Sequence, residues 1–239
     1  MREIFITHLY PELLNLHGDK GNISALNMRL KWRGINASVT EVNEEDILNL
    51  ENTDILFIGG GGDKEQKIVC GLLMSYKDKI VEFAESGGVI LATCGGYSML
   101  GNFFETENER IEGLKILDIE TTYTKQRITG NAVAECEIDG EIFKIVGFEN
   151  HSTLTSTGNL SPLAKVIKGG GNDGISGYEG VIYKNVFATY LAGPVLPKNP
   201  RLTDVILKRA LIKKYGNYDD FIKLDDKIEN ETSEFLISR

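Results

Sequence analysis

Cysteine is scarce in this chain: Cys70, Cys94 and Cys136 are the only three in 239 residues. Their spacings are unrelated, which excludes both a disulfide framework and a zinc site of the usual paired pattern. Clustered Lys and Arg are missing as well, and with a formal net charge of −9 the chain offers no footprint for a phosphate backbone, so nucleic-acid binding is not expected. No apolar run approaches the roughly 18 residues of a membrane span. The opening MREIFITHLYPELL lacks the basic and then apolar pattern of a signal peptide. Nor is there a G-x-x-x-x-G-K-[ST] phosphate loop. These absences point to a reducing cytoplasm, where a lone thiol stays a thiol. What is present is enough apolar content, 41%, to bury one good core.

The apolar residues alternate between strand-like and helix-like runs. EIFITHLY (3–10) reads as a strand and NISALNMRLKWRG (22–34) as a helix stopped by Gly34. INASVTEV (35–42) alternates as a strand, and EEDILNLEN (44–52) reads as a short helix. DILFIGGGGD (54–63) is a buried strand running into four glycines. Residues 64–88 read as helical with Gly87 as the stop, followed by the strand VILAT. Strands separated by helices of this length predict an α/β fold with a mostly parallel, doubly wound sheet and flanking helices. Beyond about residue 114 the texture changes. KILDIETTYT, GNAVAECEID, EIFKIVGFEN and GVIYKNVFATYL are β-like runs, so additional strands gather in the second half. A helix, TDVILKRALIKKYG (203–216), follows, and a charged tail closes the chain. The expected organisation is one domain over residues 1–216 and a solvated tail over 217–239.

The segment GVILATCGGYSMLG (88–101) carries the chemistry. A cysteine between a buried parallel strand and the next helix sits at the carboxyl end of the sheet, where open α/β folds bind ligands. A helix start there favours thiolate over thiol. Gly95 and Gly96 permit the tight turn and leave room beside the sulfur. Cys94 is therefore the candidate nucleophile, whereas Cys70 and Cys136 read as packing residues. The glycine run at 59–62 follows another strand. Its backbone N–H groups can serve an oxyanion, with Gly60 and Gly95 converging on one oxygen if the two strands are neighbours.

ATCGGYSMLG resembles the nucleophile segment of class I glutamine amidotransferases of the cobyric acid synthase-like branch. With LYPELLNLHGDKGNI, IGGGGDKEQ, GFENH and TYLAGPVLPKNP, the chain resembles the glutaminase subunits of lipid II isoglutaminyl synthase, in order, from residue 9 to residue 200. The resemblance implies a class I amidotransferase fold and hydrolysis of L-glutamine through a cysteine thioester. The ammonia would pass to a Mur ligase-like subunit, in a heterodimer, that amidates D-glutamate of lipid II. It implies no cofactor in this chain, with ATP and Mg²⁺ on the ligase partner, and no insertion into the membrane. By motif, Cys94 is the nucleophile, Gly60 and Gly95 are the oxyanion donors, and Arg127 in KQRITGN grips the substrate.

Three positions depart from the family pattern. Gly62 stands where a Gln or Ser is usual, and Ser98 where Gln is usual. More consequential is Ala192 in TYLAGP, because the family places its catalytic histidine there. Of the three histidines, His8 ends the first strand and His17 lies in the NLHGD loop. His151 in GFENH matches a family position and reads as structural or pocket-lining rather than as a replacement base. Two readings follow: a glutaminase subunit disabled at position 192, or a non-catalytic protein that binds glutamine or a partner without hydrolysis. A general hydrolase on a similar cysteine elbow is a third, disfavoured by the lack of a Cys/His pair.

Overall fold

The computed structural model describes residues 2–218 and 221–238. In chain order the elements are β1 (Glu3–Leu9), α1 (Lys20–Trp32), β2 (Asn36–Val42), β3 (Ile55–Ile58), α2 (Asp63–Met74), α3 (Lys77–Glu85), β4 (Val89–Thr93) and α4 (Gly95–Met99). There follow β5 (Phe103–Glu105), β6 (Arg110–Glu112), β7 (Glu120–Ile138), β8 (Glu141–Ser156), β9 (Ala164–Lys168), β10 (Tyr178–Glu179), β11 (Val181–Tyr183) and β12 (Val186–Thr189). A 3-10 turn at Leu196–Lys198, α5 (Pro200–Tyr215) and α6 (Lys227–Ile237) complete the described chain.

Six strands form the first sheet in the order β11-β12-β4-β3-β1-β2, parallel except for the edge strand β11. Its central strands β3, β4 and β12 are buried at every position because helices cover both faces. Alternate side chains serve different cores. Ile55, Phe57, Val89, Leu91 and Phe187 join the cluster under α1 and α5. Leu56, Ile58, Ile90, Ala92, Val186 and Ala188 join the one under α2 and α3. The later strands make a second, largely antiparallel sheet, β10-β9-β7-β5-β6, with β8 hydrogen-bonded along β7. The mostly parallel doubly wound sheet with extra strands in the second half is thus present.

Three local expectations are corrected. Residues 44–52 form turns, not a helix. The Glu51 N–H donates to Asn49 Oδ1, so a side chain takes the donor that would reach the Ile47 carbonyl in a helix. The stretch 64–88 is two helices, broken at Ser75 and Tyr76, where the Ser75 hydroxyl caps back onto the Leu72 carbonyl. The runs 115–124 and 130–139 are largely one long strand, β7, paired with β8 through a tight turn at Asp139 and Gly140.

The tail is tied down. Arg29, with its side chain 4% exposed, bridges Asp204 of α5 and Asp226 just before α6 at 2.7 Å each. The Arg33 guanidinium donates to the Ile222 carbonyl and lies 4.0 Å over the Phe221 ring. α6 itself has no buried residue. Residues 219, 220 and 239 of the expected tail lie outside the described residues. Among the described residues no helix is long and apolar enough to cross a membrane.

Candidate active site

Cys94 stands at the corner between β4 and α4 with φ 51° and ψ −116°. A positive φ is strained for a residue with a Cβ, and such strain persists only where the surroundings impose it. Here they do. The Cys94 N–H donates to the Thr189 carbonyl of β12, and the Cys94 carbonyl accepts from the Tyr97 N–H. Gly96 must be glycine at this corner, since a Cβ on it would sit 2.4 Å from the Ile58 carbonyl oxygen.

The strand pairing needed for a shared oxyanion site exists, because β3 and β4 are parallel neighbours in register Ile58↔Ala92. A Cβ on Gly60 would lie 2.9 Å from Cys94 Cβ and 3.5 Å from its Sγ, so the second residue after β3 meets the first after β4 at the sulfur. The Gly95 N–H points at the sulfur and lowers its pKa. The Gly60 N–H is already engaged, donating to Asp19 Oδ2 at 3.2 Å.

Asp19 is the residue that sequence reasoning missed. It immediately precedes α1, a place where an aspartate reads as a helix cap, yet its side chain makes no cap bond. Instead the carboxylate is buried, 1% exposed, and accepts from the Thr93 hydroxyl at 2.8 Å as well as from Gly60. Its only sequence signal was its place in the NLHGD segment.

The expected thiolate bias at Cys94 is not found. Burial first, and then the Asp19 charge, push the thiol up to about 11, against smaller opposing effects from the Gly95 N–H and the Arg127 charge. α4 is a single short turn of helix, and its field does not offset the loss of solvent. Cys70 is likewise pushed up to about 11 and Cys136 to above the range in which a thiol ionises usefully, both mainly by burial. Both are buried packing residues.

A cleft of about 240 Å³ opens beside the sulfur and collects Cys94, Gly95, Gly62, Ser98, Arg127, Asn150, His151 and Tyr190. Arg127 reaches it because β7 departs from regular pairing. Tyr123 faces Thr153 and Ile128 faces His151, so residues 124–127 stand opposite Ser152 alone and bulge outward. Arg127 Nε donates to Asn150 Oδ1 at 2.8 Å, which steadies an otherwise exposed side chain. Ser98 Oγ lies 3.2 Å from the Tyr190 hydroxyl. His17 also lines the cleft. His8 does not: it is fully buried against Phe57, with both ring nitrogens unpartnered.

Position 192 lies three residues beyond the end of β12, the strand beside β4, and it is not among the residues that line the cleft. Ala192 is 2% exposed and its backbone pairs both ways with Phe148 of β8. The Lys198 ammonium donates to its carbonyl. The strand end before it is held by Glu179, whose buried carboxyl accepts the Tyr190 N–H at 2.7 Å and the Thr189 hydroxyl at 3.0 Å. Burial raises the Glu179 carboxyl to about 8. A methyl group at 192 supplies neither a proton acceptor nor a donor.

An open α/β sheet whose fourth strand ends in a strained cysteine, with an arginine brought to the same cleft by a second sheet, defines the class: a cysteine-elbow α/β protein. The chain belongs to the CobB/CobQ-like glutamine amidotransferase family, whose domain it matches over residues 5–200. It is 39% identical to the lipid II isoglutaminyl synthase (glutamine-hydrolyzing) subunit GatD of Staphylococcus aureus (strain N315), covering 100% of this chain and 97% of that one. The subunit of the same name from Streptococcus pneumoniae (strain ATCC BAA-255 / R6) is 36% identical, over 97% of this chain and 90% of that one. A crystal structure of a glutamine amidotransferase shows the same fold, with TM-score 0.53 at 19% identity over 85% of this chain and 98% of that chain.

Proposed function

We propose that this chain is the glutamine-handling subunit of a lipid II isoglutaminyl synthase and that, with Ala192 in place, it binds L-glutamine but hydrolyses it barely or not at all. The reading is carried by one combination: similarity along the full length to subunits of that name, and a single cleft that gathers Cys94, Gly95 and Arg127. Arg127 takes the substrate carboxylate. The Cys94 thiolate attacks the side-chain amide carbon, and the oxygen that becomes anionic is met by the Gly95 N–H, joined by the Gly60 N–H once Asp19 releases it. Collapse of this intermediate breaks the C–N bond, and the nitrogen must take a proton to leave as ammonia. Water then cleaves the thioester to give glutamate and return the thiol.

Two proton movements in this sequence need a group that Ala192 lacks. A thiol held at about 11 is almost wholly protonated near neutrality, so the nucleophile needs a base. The departing nitrogen needs an acid. Loss of one general acid–base typically costs about 10²–10⁴ in rate. Activation of a carboxylate belongs to a Mur ligase-like partner that carries ATP and Mg²⁺ and consumes the ammonia, in the cytoplasm where its lipid-linked substrate is built.

The test is reconstitution with that partner, lipid II, ATP and Mg²⁺. Amidation is expected with ammonium chloride as nitrogen source and to be nearly absent with glutamine. Failure of the two chains to associate, or amidation of lipid II by this chain alone, would overturn the assignment.

A further inference from the structure

Lys198 is half-buried in the 3-10 turn that follows position 192, and its ammonium is spent on backbone. It donates to the Ala192 carbonyl at 3.2 Å and to the Gly193 carbonyl. The turn that brings both carbonyls to one nitrogen passes through Gly193 at φ 70°, a conformation glycine adopts without strain. Burial lowers the Lys198 pKa, and among the described residues no carboxylate forms an ion pair that would offset it. A cation taken partly out of water and given only neutral partners is costly. The backbone it holds is fixed from a second direction as well. The Ala192 N–H donates to the Phe148 carbonyl at 3.0 Å, and the Ala192 carbonyl accepts from the Phe148 N–H at 3.2 Å. Upstream, the Thr189 carbonyl accepts the Cys94 N–H at 2.8 Å, so the chain leading to position 192 is hydrogen-bonded to the elbow itself.

The other charged groups around this corner have different work. Glu179 accepts from Thr189 and Tyr190, Glu149 beside Phe148 accepts the Gly170 and Gly171 N–H groups, and Asp19 accepts from Gly60 and Thr93. Lys144, Arg201 and Glu234 share a groove with Lys198. Among the described residues Lys198 is the charged side chain that bonds the backbone of 192 and 193. We infer that Lys198 is a positioning residue for the side chain at 192: it locks the backbone from which that side chain leaves, and its charge keeps an imidazole placed there in the neutral, proton-accepting form. The inference rests on the reading that position 192 is the seat of the proton-transfer group. It means that the seat is intact in a chain whose residue 192 has nothing to place there.

The test is the pH profile of kcat/KM for ammonia release from L-glutamine with the ligase partner present. It compares Ala192→His alone with Ala192→His combined with Lys198→Met or Lys198→Arg. The acid limb of that profile reports the pKa of the essential base. Removing a cation beside an imidazole raises its pKa, so Lys198→Met should move the limb to higher pH by about half a unit or more. Loss of the backbone lock should also lower kcat by about tenfold or more, with KM changed by no more than about twofold. Lys198→Arg keeps the charge and the donors and should return the limb to its place. A lysine that only holds the fold would lower activity and leave the limb where it was. An unmoved limb in Lys198→Met, or a moved limb that Lys198→Arg does not return, overturns the inference and leaves the functional reading standing. If Ala192→His releases no ammonia, both fall. Should Lys198→Met not fold, Lys198→Gln, which keeps a donor and drops the charge, decides by the same limb.

Discussion

The Asp19→Asn variant isolates the charge that opposes ionisation of Cys94. The thiol sits about two units above its ordinary 9.0, at about 11, with burial the larger cause and Asp19 the next. That rise is about 2.7 kcal/mol against the thiolate, a hundredfold fewer ionised sulfurs, and a thiol at about 11 is ionised in roughly one sulfur in 10⁴ at pH 7. Asn keeps the size of the side chain; its oxygen can still accept from the Gly60 N–H while its amide N–H donates to the Thr93 hydroxyl oxygen, so the geometry of the corner is retained while the charge is lost. Because Asp19 is the smaller of the two causes, the thiolate population should rise by up to about tenfold, with burial still holding the pKa above the free value. The assay is iodoacetamide alkylation as a function of pH, followed by peptide mapping of all three cysteines. Cys94 should label ahead of Cys70 and Cys136, because it alone of the three borders the open cleft. Its rate should still be climbing at pH 9, and Asp19→Asn should shift the curve to lower pH. A parent curve half-titrated below pH 8 would refute the burial argument, and an unshifted variant would refute the role of Asp19.

Removing a buried histidine should flatten the acid side of the stability curve. His8 is held near 4 by burial against an unfolded 6.5, so the unfolded chain binds more protons between those values and stability falls as pH drops through that window. From pH 7 to pH 5 the parent should lose about 2 kcal/mol more than His8→Phe in urea titrations, and parallel curves would contradict the assignment. Gly96→Ala drives a Cβ to 2.4 Å from the Ile58 carbonyl and should cost about 1–3 kcal/mol or more, whereas Gly71→Ala, with nothing within 4 Å on helix α2, should stabilise by about 0.5–1 kcal/mol. Denaturant midpoints of the two variants moving in the same direction would refute this contrast. Arg127→Met should weaken L-glutamine binding by about 10- to 100-fold in calorimetry, the usual worth of a charge-assisted contact, and an unchanged affinity would remove Arg127 from the site.

The parallel sheet was legible in the sequence because its central strands, such as ILFI and VILAT, run apolar except for the closing Thr93 and end in glycine or in the cysteine corner. The helix expected over 44–52 failed where Asn49 binds the Glu51 N–H locally, which apolar spacing does not register. The elbow itself could be read from Cys94 and two glycines. Its ionisation could not, since burial and the approach of Asp19 across 74 positions to Thr93 exist only in the folded chain. Arg127 was reached by resemblance, and the bulge opposite Ser152 supplies the physical reason it lines the cleft. His151 read as structural or pocket-lining through GFENH, but its stacking on Tyr190 exists only in the folded chain.

The central claim is that Cys94 lacks its proton partner because residue 192 is alanine. It is tested most directly by ammonia release from L-glutamine, with the ligase partner present, for the chain as it stands, Ala192→His, and Ala192→His with Cys94→Ala. Release near background is expected from the first, a gain of about 10²–10⁴ from the second, and loss of that gain in the third. Release by the Ala192 protein at the rate of its histidine variant would contradict the account and place the base elsewhere in the cleft.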